Sequence, residues 1–372
     1  MGDRSQQTAF QTTRQAVNQA VLSPKMPAIN TAPTLENLPS PLPEKSGWPW
    51  TEQSQPLPKQ MPNGSEWPCI SIVTPSYNQG QFIEETIRSV LLQGYPNLEY
   101  IIIDGGSTDN SVEIIKKYEP WINYWVSEPD KGQTDAIQKG FNISTGAIWN
   151  WLNSDDLLEP NAIQTVALAY QNNPSATTFG SKLTYFGIST PRIHHKCFQN
   201  LSELVCVWEE WTTPQAAIFL SSKACREVKG LNTSLHYAMD YDLYLRLARI
   251  PNFKAQLTDA LIAKARLHTD CKTVGQSLAC KREMLRIFDE FSLNYPSLLP
   301  KGWRKSRTRF VYHLALDEAR DNSSIKPPLK SFLQISVSFI SSVWNYRFFW
   351  SCLLKMYLLS YFKKVEKLQA LS

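Results

Sequence analysis

Cysteines at C-x-x-C spacing are missing from this chain. Its seven cysteines, Cys69, Cys197, Cys206, Cys225, Cys271, Cys280 and Cys352, are scattered and odd in number. That argues against a zinc site and a disulfide framework and favours a reducing, cytosolic compartment. Charge of one sign is scarce as well: a net +5 over 372 residues falls short of the dense basic excess of a nucleic-acid binder, so no nucleic-acid partner is expected. Met1 to Ala20 is polar and lacks the apolar core of a secretory signal. Ser331 to Tyr346 is uncharged but broken by serines and a glutamine, short of the roughly 18 to 20 apolar residues of a spanning helix. No G-x-G-x-x-G follows the first predicted strand and no G-x-x-x-x-G-K-[ST] occurs, which excludes the usual dinucleotide fingerprint and the P-loop.

What is present describes a globular protein, with 42% hydrophobic and 19% charged residues. The length suits one large domain with appendages, or two domains. Residues 1–66 are rich in Pro, Gln, Ser and Thr and read as a disordered or loosely attached arm. Within it, the two indoles of Gly47-Trp48-Pro49-Trp50 are expected to dock onto the folded domain.

From Ile70 onward strands and helices alternate. Ile70 to Thr74, Glu99 to Ile103, Ile122 to Val126 and Ala147 to Leu152 read as buried strands. A helix over Gln81 to Gln93 puts Phe82, Thr86, Ile87, Val90 and Leu91 on one face, and others follow at Val112 to Lys116 and Thr134 to Phe141. This pattern predicts an α/β fold, a mostly parallel sheet with helices on both faces. Polar residues recur just after each strand, and ligands of such sheets bind at the strands' carboxyl ends. Asp104, Asp130 with Gly132, and Asp155 with Asp156 are therefore expected to converge on one crevice.

The run Ile148 to Pro160 ends a tryptophan-rich strand at Asn153-Ser154-Asp155-Asp156. Adjacent carboxylates at a buried strand end repel each other and are costly to desolvate, which a hard divalent cation would relieve. The alternative is a helix cap formed by Ser154 or Asp155.

In the second half, Ala162 to Tyr170 reads as a helix, Thr177 to Gly180 and Lys182 to Gly187 as two strands, and Asp240 to Arg249 as a helix with enough apolar surface to pack on the sheet. Trp208-Glu209-Glu210-Trp211 could stack on sugar faces or fill a core. Ser277 to Phe291 reads as a helix, followed by the basic cluster Lys301, Arg304, Lys305, Arg307 and Arg309 and by an aromatic, aliphatic segment from Phe332 to Phe362. Residues 271–372 suit either the surface of an anionic membrane or a helical subdomain packed on the core.

Several motifs in this order resemble the family 2 glycosyltransferases, which use nucleotide-diphosphate sugars on a Rossmann-like GT-A fold. They are T-P-S-Y-N-Q at 74–79, I-I-I-D-G-G-S-T-D at 101–109, S-E-P-D-K-G-Q-T-D-A at 127–136, L-N-S-D-D at 152–156, T-P-Q-A-A-I-F at 213–219 and M-D-Y-D-L-Y-L-R-L-A at 239–248. The resemblance implies a catalytic domain over residues 67–270, with a nucleotide-sugar half at 67–160 and an acceptor half at 161–270. It implies that Pro75, Ser76 and Tyr77 form the floor under the base, and that Asp104 accepts hydrogen bonds from the base or ribose. Asp130, Gly132 and Asp135 would lie beneath the diphosphate and donor sugar, with Ser154 and Asp155 also touching the donor.

Asp155 and Asp156 occupy the family's metal-binding D-x-D position, for Mg²⁺ or Mn²⁺, with His268 as a further metal or phosphate contact. Asn153 stands where the commoner form has a carboxylate. Asp240 matches the general base of inverting transfer; Met239 replaces the usual preceding Glu, and Asp242 is the rival base. The implied reaction transfers a sugar to a glycan or lipid-linked acceptor in cell-surface polysaccharide synthesis, at the cytoplasmic side and peripheral on the inner face of the plasma membrane. The alternative is a non-catalytic nucleotide-sugar binding or scaffold protein of an assembly complex. A nucleotidyltransferase is disfavoured by the missing Gly-rich, basic phosphate loop.

Overall fold

Strand β1 (Ile70–Ser76) is buried along its whole length, because its β-branched residues alternate between two apolar layers. Ile70 and Ile72 face one core and Val73 the other. The computed structural model describes residues 32–188, 190–207, 212–272 and 277–321.

After β1 come α1 (Ile83–Leu91), β2 (Leu98–Asp104), α2 (Ser111–Tyr118), β3 (Tyr124–Ser127), α3 (Gln133–Ile143) and β4 (Ile148–Trp151). The chain continues through β5 (Leu157–Leu158), α4 (Ala162–Asn172), β6 (Thr178–Gly187), β7 (Arg192–His194), α5 (Leu201–Val205), β8 (Ile218–Ser221), α6 (Ser222–Glu227) and α7 (Met239–Leu247). Strand β9 (Ala255–Leu267) and helices α8 (Ser277–Asn294) and α9 (Trp303–Asp321) follow. One sheet runs in the order β3-β2-β1-β4-β8-β6-β9-β5, with β7 beside β6.

The α/β class and the helices on both faces are as the sequence pattern predicts. Pairing is parallel among β3, β2, β1 and β4. In the second half it is mixed: β8 runs antiparallel to β4 and β6, while β9 runs parallel to β6. The two strands predicted around Ser181 form one strand, β6, whose register against β9 shifts between Gly180 and Leu183.

Helices α1, α2 and α4 cover one face, burying Ile87, Ile115 and Ile163. Helices α3, α7 and α8 cover the other, burying Phe141, Leu245 and Phe288 with Trp149 and Trp151. Close approach of α3 to β1 depends on Gly140, where a Cβ would lie 2.4 Å from Val73 Cγ1. Phe82, predicted to lie on the core face of α1, instead turns toward the strand ends and packs against His268 at 5.0 Å between ring centroids.

Residues 32–66, whose composition reads as a loosely attached arm, pack on this body with Leu38, Trp50 and Met61 buried. The physical reason is Arg88, a fully buried guanidinium on α1 that must find acceptors. It donates to the carbonyl oxygens of Pro39 (2.8 Å), Pro49 (3.0 Å) and Trp50 (3.0 Å). Trp48 Nε1 donates to Leu158 O at 2.8 Å, so the indole pair docks as its composition suggested.

At the other end, α8 buries Met284, Ile287, Phe288 and Phe291 in the second core, and ion pairs Lys281–Asp317, Arg282–Glu318 and Arg307–Asp289 join α8 to α9. Residues 277–321 thus form a helical layer on the core. Ser331 to Tyr346, the wider segment Phe332 to Phe362 and Trp208-Glu209-Glu210-Trp211 lie outside the described residues. Among the described residues, no helix is long and apolar enough to cross a membrane.

Candidate active site

At the carboxyl ends of β1 and β4 a cavity of about 790 Å³ opens between the parallel and the mixed halves of the sheet. Pro75, Ser76, Tyr77, Asp130, Gly132, Ser154, Asp155, Asp156, Asp240 and His268 all line it. Asp104 and Asp135 do not belong to that lining.

The loops after β1 and β2 are stitched together, which fixes the floor. Gly105 N donates to Ser76 O at 2.8 Å, and Thr108 N to Asn78 Oδ1 at 2.8 Å. Tyr77 stands 60% exposed beside them, a flat ring facing open space. Asp104 is fully buried and occupied by its own surroundings. It accepts from Gly106 N (3.1 Å), Ser107 N (2.9 Å), Ser107 Oγ (2.5 Å) and Ser127 Oγ (2.6 Å). Its carboxylate ties the β2 loop to the end of β3.

Asp130 accepts from Gly132 N at 2.7 Å, and Gly132 takes φ +107°, a backbone region that suits glycine. A side chain at position 105 would meet Asp130 Oδ2 at 2.8 Å, so Gly105 is what lets that carboxylate sit against the β2 loop. Asp135 turns away: it accepts from Lys131 N at 3.2 Å and pairs with Lys139 at 3.5 Å, as a first-turn helix carboxylate.

The two adjacent carboxylates after β4 point in different directions. Asp156 is 6% exposed, its Oδ1 accepting from Arg266 N at 2.9 Å and its Oδ2 from Asn153 Nδ2 at 3.1 Å. Burial, with Asp155 adding repulsion, pushes its carboxyl well above the ordinary carboxylate range. Asp155 faces His268, with its Oδ2 2.9 Å from His268 Nε2. Arg266 braces this corner, its Nε donating to Asp155 O at 3.0 Å and its guanidinium pairing with Glu85 at 2.6 Å. Asn153 also accepts from Gln133 Nε2 at 2.7 Å, joining the β4 end to α3.

For Mg²⁺ or Mn²⁺, the donor set is one carboxylate and one imidazole side by side on the cavity wall. Among the described residues no group of three or more His, Cys, Asp or Glu side chains is arranged to hold a metal. Two protein donors fit an ion whose remaining positions are filled by phosphate oxygens and water, the usual habit of a hard cation on a phosphorylated substrate. Asp155 and His268 are the residues placed for that, while both oxygens of Asp156 already accept N–H groups.

Across the cavity, Asp240 sits in the first turn of α7. Burial raises its carboxyl to about 6, the Tyr241 N–H opposes that rise, and the charge of Glu283 adds to it. Asp242, the rival carboxylate, is held by Arg246 through Nε at 2.9 Å and Nη2 at 2.7 Å and is not part of the lining.

Sequence reasoning passed over Lys272, which lines the cavity, and Glu283, which accepts the backbone N–H groups of Tyr237 (2.7 Å) and Ala238 (2.8 Å) just ahead of α7. Neither carries a local motif; Glu283 reads as an ordinary mid-helix acid with Arg286 one turn on.

Residues 71–227 match the family described as glycosyl transferase family 2. That stretch, from β1 to the end of α6, is where the likeness to the family lies. Among characterised relatives the chain is 29% identical over 203 residues to chondroitin synthase of Pasteurella multocida (strain Pm70), covering 50% of this chain and 20% of that protein. It is 28% identical over 200 residues to chondroitin synthase of Escherichia coli, covering 50% of this chain and 27% of that protein. The chain therefore matches only about a fifth to a quarter of these synthases' length.

Among solved structures, S. aureus TarS in complex with UDP-GlcNAc superposes with a TM-score of 0.49 at 13% identity, over 72% of this chain and 89% of that one. The mannosyltransferase PcManGT from Pyrobaculum calidifontis in complex with GDP-Man and Mn²⁺ gives 0.49 at 16% identity, over 80% and 87%.

Proposed function

We propose that this protein is an inverting glycosyltransferase that moves a sugar from a nucleotide-diphosphate sugar to a hydroxyl of a glycan or lipid-linked acceptor, in cell-surface polysaccharide synthesis. The observation that carries the reading is the placement of Asp155–His268 and Asp240 on one cavity, within a chain whose residues 71–227 match family 2. Tyr77 offers its ring to the base, and Ser76 and Ser154 line the donor side. A bound Mg²⁺ or Mn²⁺, held by Asp155 and His268, would neutralise charge on the departing diphosphate.

Asp240 takes the proton of the attacking hydroxyl. Its carboxyl, raised to about 6, is ionised near neutral pH yet more basic than an exposed aspartate, which suits general-base work. Asp242 is spent on Arg246 and does not compete. Inversion follows from one base and direct attack, with no covalent intermediate.

The protein works at the cytoplasmic side, peripheral on the inner face of the plasma membrane. Lys301, Arg304 and Lys305 are exposed at the start of α9, next to Leu293 at 80% and Leu298 at 44% exposure. Cations flanking exposed leucines suit an anionic lipid surface.

The test is incubation of the purified protein with a panel of nucleotide sugars and Mn²⁺, reading nucleoside diphosphate release. Calorimetry that detects no donor binding, with or without metal, retires the reading. Donor binding without turnover would instead favour a scaffold that binds nucleotide sugar.

A further inference from the structure

The segment leading into α7 is gripped by one carboxylate from another helix. Glu283 of α8 accepts the backbone N–H groups of His236 (3.2 Å), Tyr237 (2.7 Å) and Ala238 (2.8 Å), and its side chain is 10% exposed. Helix α7 has no side-chain cap of its own, so its entry is fixed from outside. The same segment is held at two further points. Lys272 Nζ donates to His236 O at 2.6 Å, and Thr134 Oγ1, at the start of α3, donates to Leu235 O at 2.6 Å. Asp240 follows directly, so its direction into the cavity is set by this grip and not by α7 alone.

We propose that Glu283 is a positioning residue for Asp240, collecting the N–H groups ahead of α7 so that the base carboxylate is presented to the acceptor hydroxyl. This rests on Asp240 being the base of the proposed transfer. An ordinary structural cap would fix the loop equally well, but it would not set the proton affinity of its neighbour. The titratable groups facing Asp240 are Glu283 and Cys280 of α8 and Tyr244 of its own helix, with Lys272 beside Glu283. Among them Glu283 is the one that raises Asp240 by its charge. A glutamine at 283 keeps a carbonyl oxygen for the N–H groups and removes that charge; an alanine removes both.

Carbon-13 NMR of the Asp240 carboxyl tests the link without turnover. The titration midpoint is expected to fall in Glu283→Gln relative to wild type, and an unchanged midpoint overturns the proposal whether or not the wild-type protein transfers sugar. In active enzyme, Glu283→Gln is expected to carry the acid limb of kcat to lower pH. Glu283→Ala is expected to lower kcat on the order of 10- to 100-fold at unchanged donor Kd, the penalty of a misplaced catalytic group. Retained kcat in Glu283→Ala, or a parallel loss of donor affinity and kcat, overturns it. A shifted midpoint in a protein that releases no nucleoside diphosphate retires the transfer reading while the Glu283–Asp240 coupling stands.

Discussion

His268 Nε2 lies 2.9 Å from Asp155 Oδ2, joining a carboxylate just ahead of β5 to an imidazole just after β9, two strands that pair antiparallel. The contact is buttressed by Arg266, which binds the backbone of Asp155 and places its own N–H on Asp156. A side chain following β9 thereby completes this wall of the cavity.

Removing either partner should therefore strike the donor first. His268→Ala and Asp155→Asn are expected to weaken metal-dependent donor binding on the order of 10- to 100-fold or more, the range seen when metal-supporting side chains are lost. Calorimetric titration with nucleoside diphosphate in the presence of Mn²⁺ reads this directly. Asp156→Asn is expected to affect thermal stability more than donor affinity, since its oxygens serve Arg266 and Asn153.

Asp240→Asn should separate binding from chemistry. Donor affinity is expected to hold while transfer falls on the order of 10²- to 10⁴-fold, the range for loss of a general base. In the wild-type protein the rate should fall as pH drops through about 6, where Asp240 takes up its proton. Retained turnover in Asp240→Asn would move the base elsewhere.

The same substitution has a stability consequence of opposite sign. Asp240 ionises near 3.8 in the unfolded chain and near 6 when folded, so between those values the folded state holds more protons. Stability therefore falls as pH rises through that window, and above about 6 the buried charge costs up to about 3 kcal/mol. Asp240→Asn is expected to raise the midpoint of thermal unfolding at pH 8 and to leave it nearly unchanged at pH 3. Paired melting curves check this.

Asp104→Ala should loosen the floor of the cavity. Two hydroxyls and two N–H groups lose their acceptor, a cost of about 2–4 kcal/mol. The expected result is a lower unfolding midpoint together with weaker donor binding that low temperature or stabilising osmolyte restores. A loss that no stabilising condition repairs would return Asp104 to direct contact with the base or ribose.

Arg88→Ala should release the arm. Three carbonyl oxygens of residues 39–50 and the Tyr118 hydroxyl lose their donor, expected to cost about 3 kcal/mol or more. Limited proteolysis is expected to cut between residues 39 and 66 in the variant and to spare that stretch in the wild type.

The strand and helix alternation after Ile70 was legible because β-branched runs and amphipathic helices are local patterns. Strand order was not. Insertion of β8 antiparallel between β4 and β6 depends on pairing across many residues, such as Trp149 with Leu220. The site divides the same way. Strand-end acids identified the cavity, but which of them face it was decided by distant partners. Asp104 is taken up by Ser127 Oγ and Asp156 by Arg266 N, neither of which any local motif announces. Glu283 is the extreme case, an acid whose role exists only through the backbone of a loop some 45 residues earlier.

Arg88 binds only main-chain oxygens of the arm, those of Pro39, Pro49 and Trp50. Every residue type supplies a carbonyl, so the hydrogen bonds place no demand on side-chain identity at those three positions; the Trp50 ring, which the guanidinium overlies at 5.4 Å, adds the one that there is. Away from Trp48 and Trp50, mutational drift along residues 39–50 is tolerated by the anchor as long as the path of the backbone is kept. A single change at position 88 would remove what all of those positions share. Much of what fastens the arm is stored in α1, and the arm's own share is confined to a few side chains, Leu38, Trp48, Trp50 and Met61 among them.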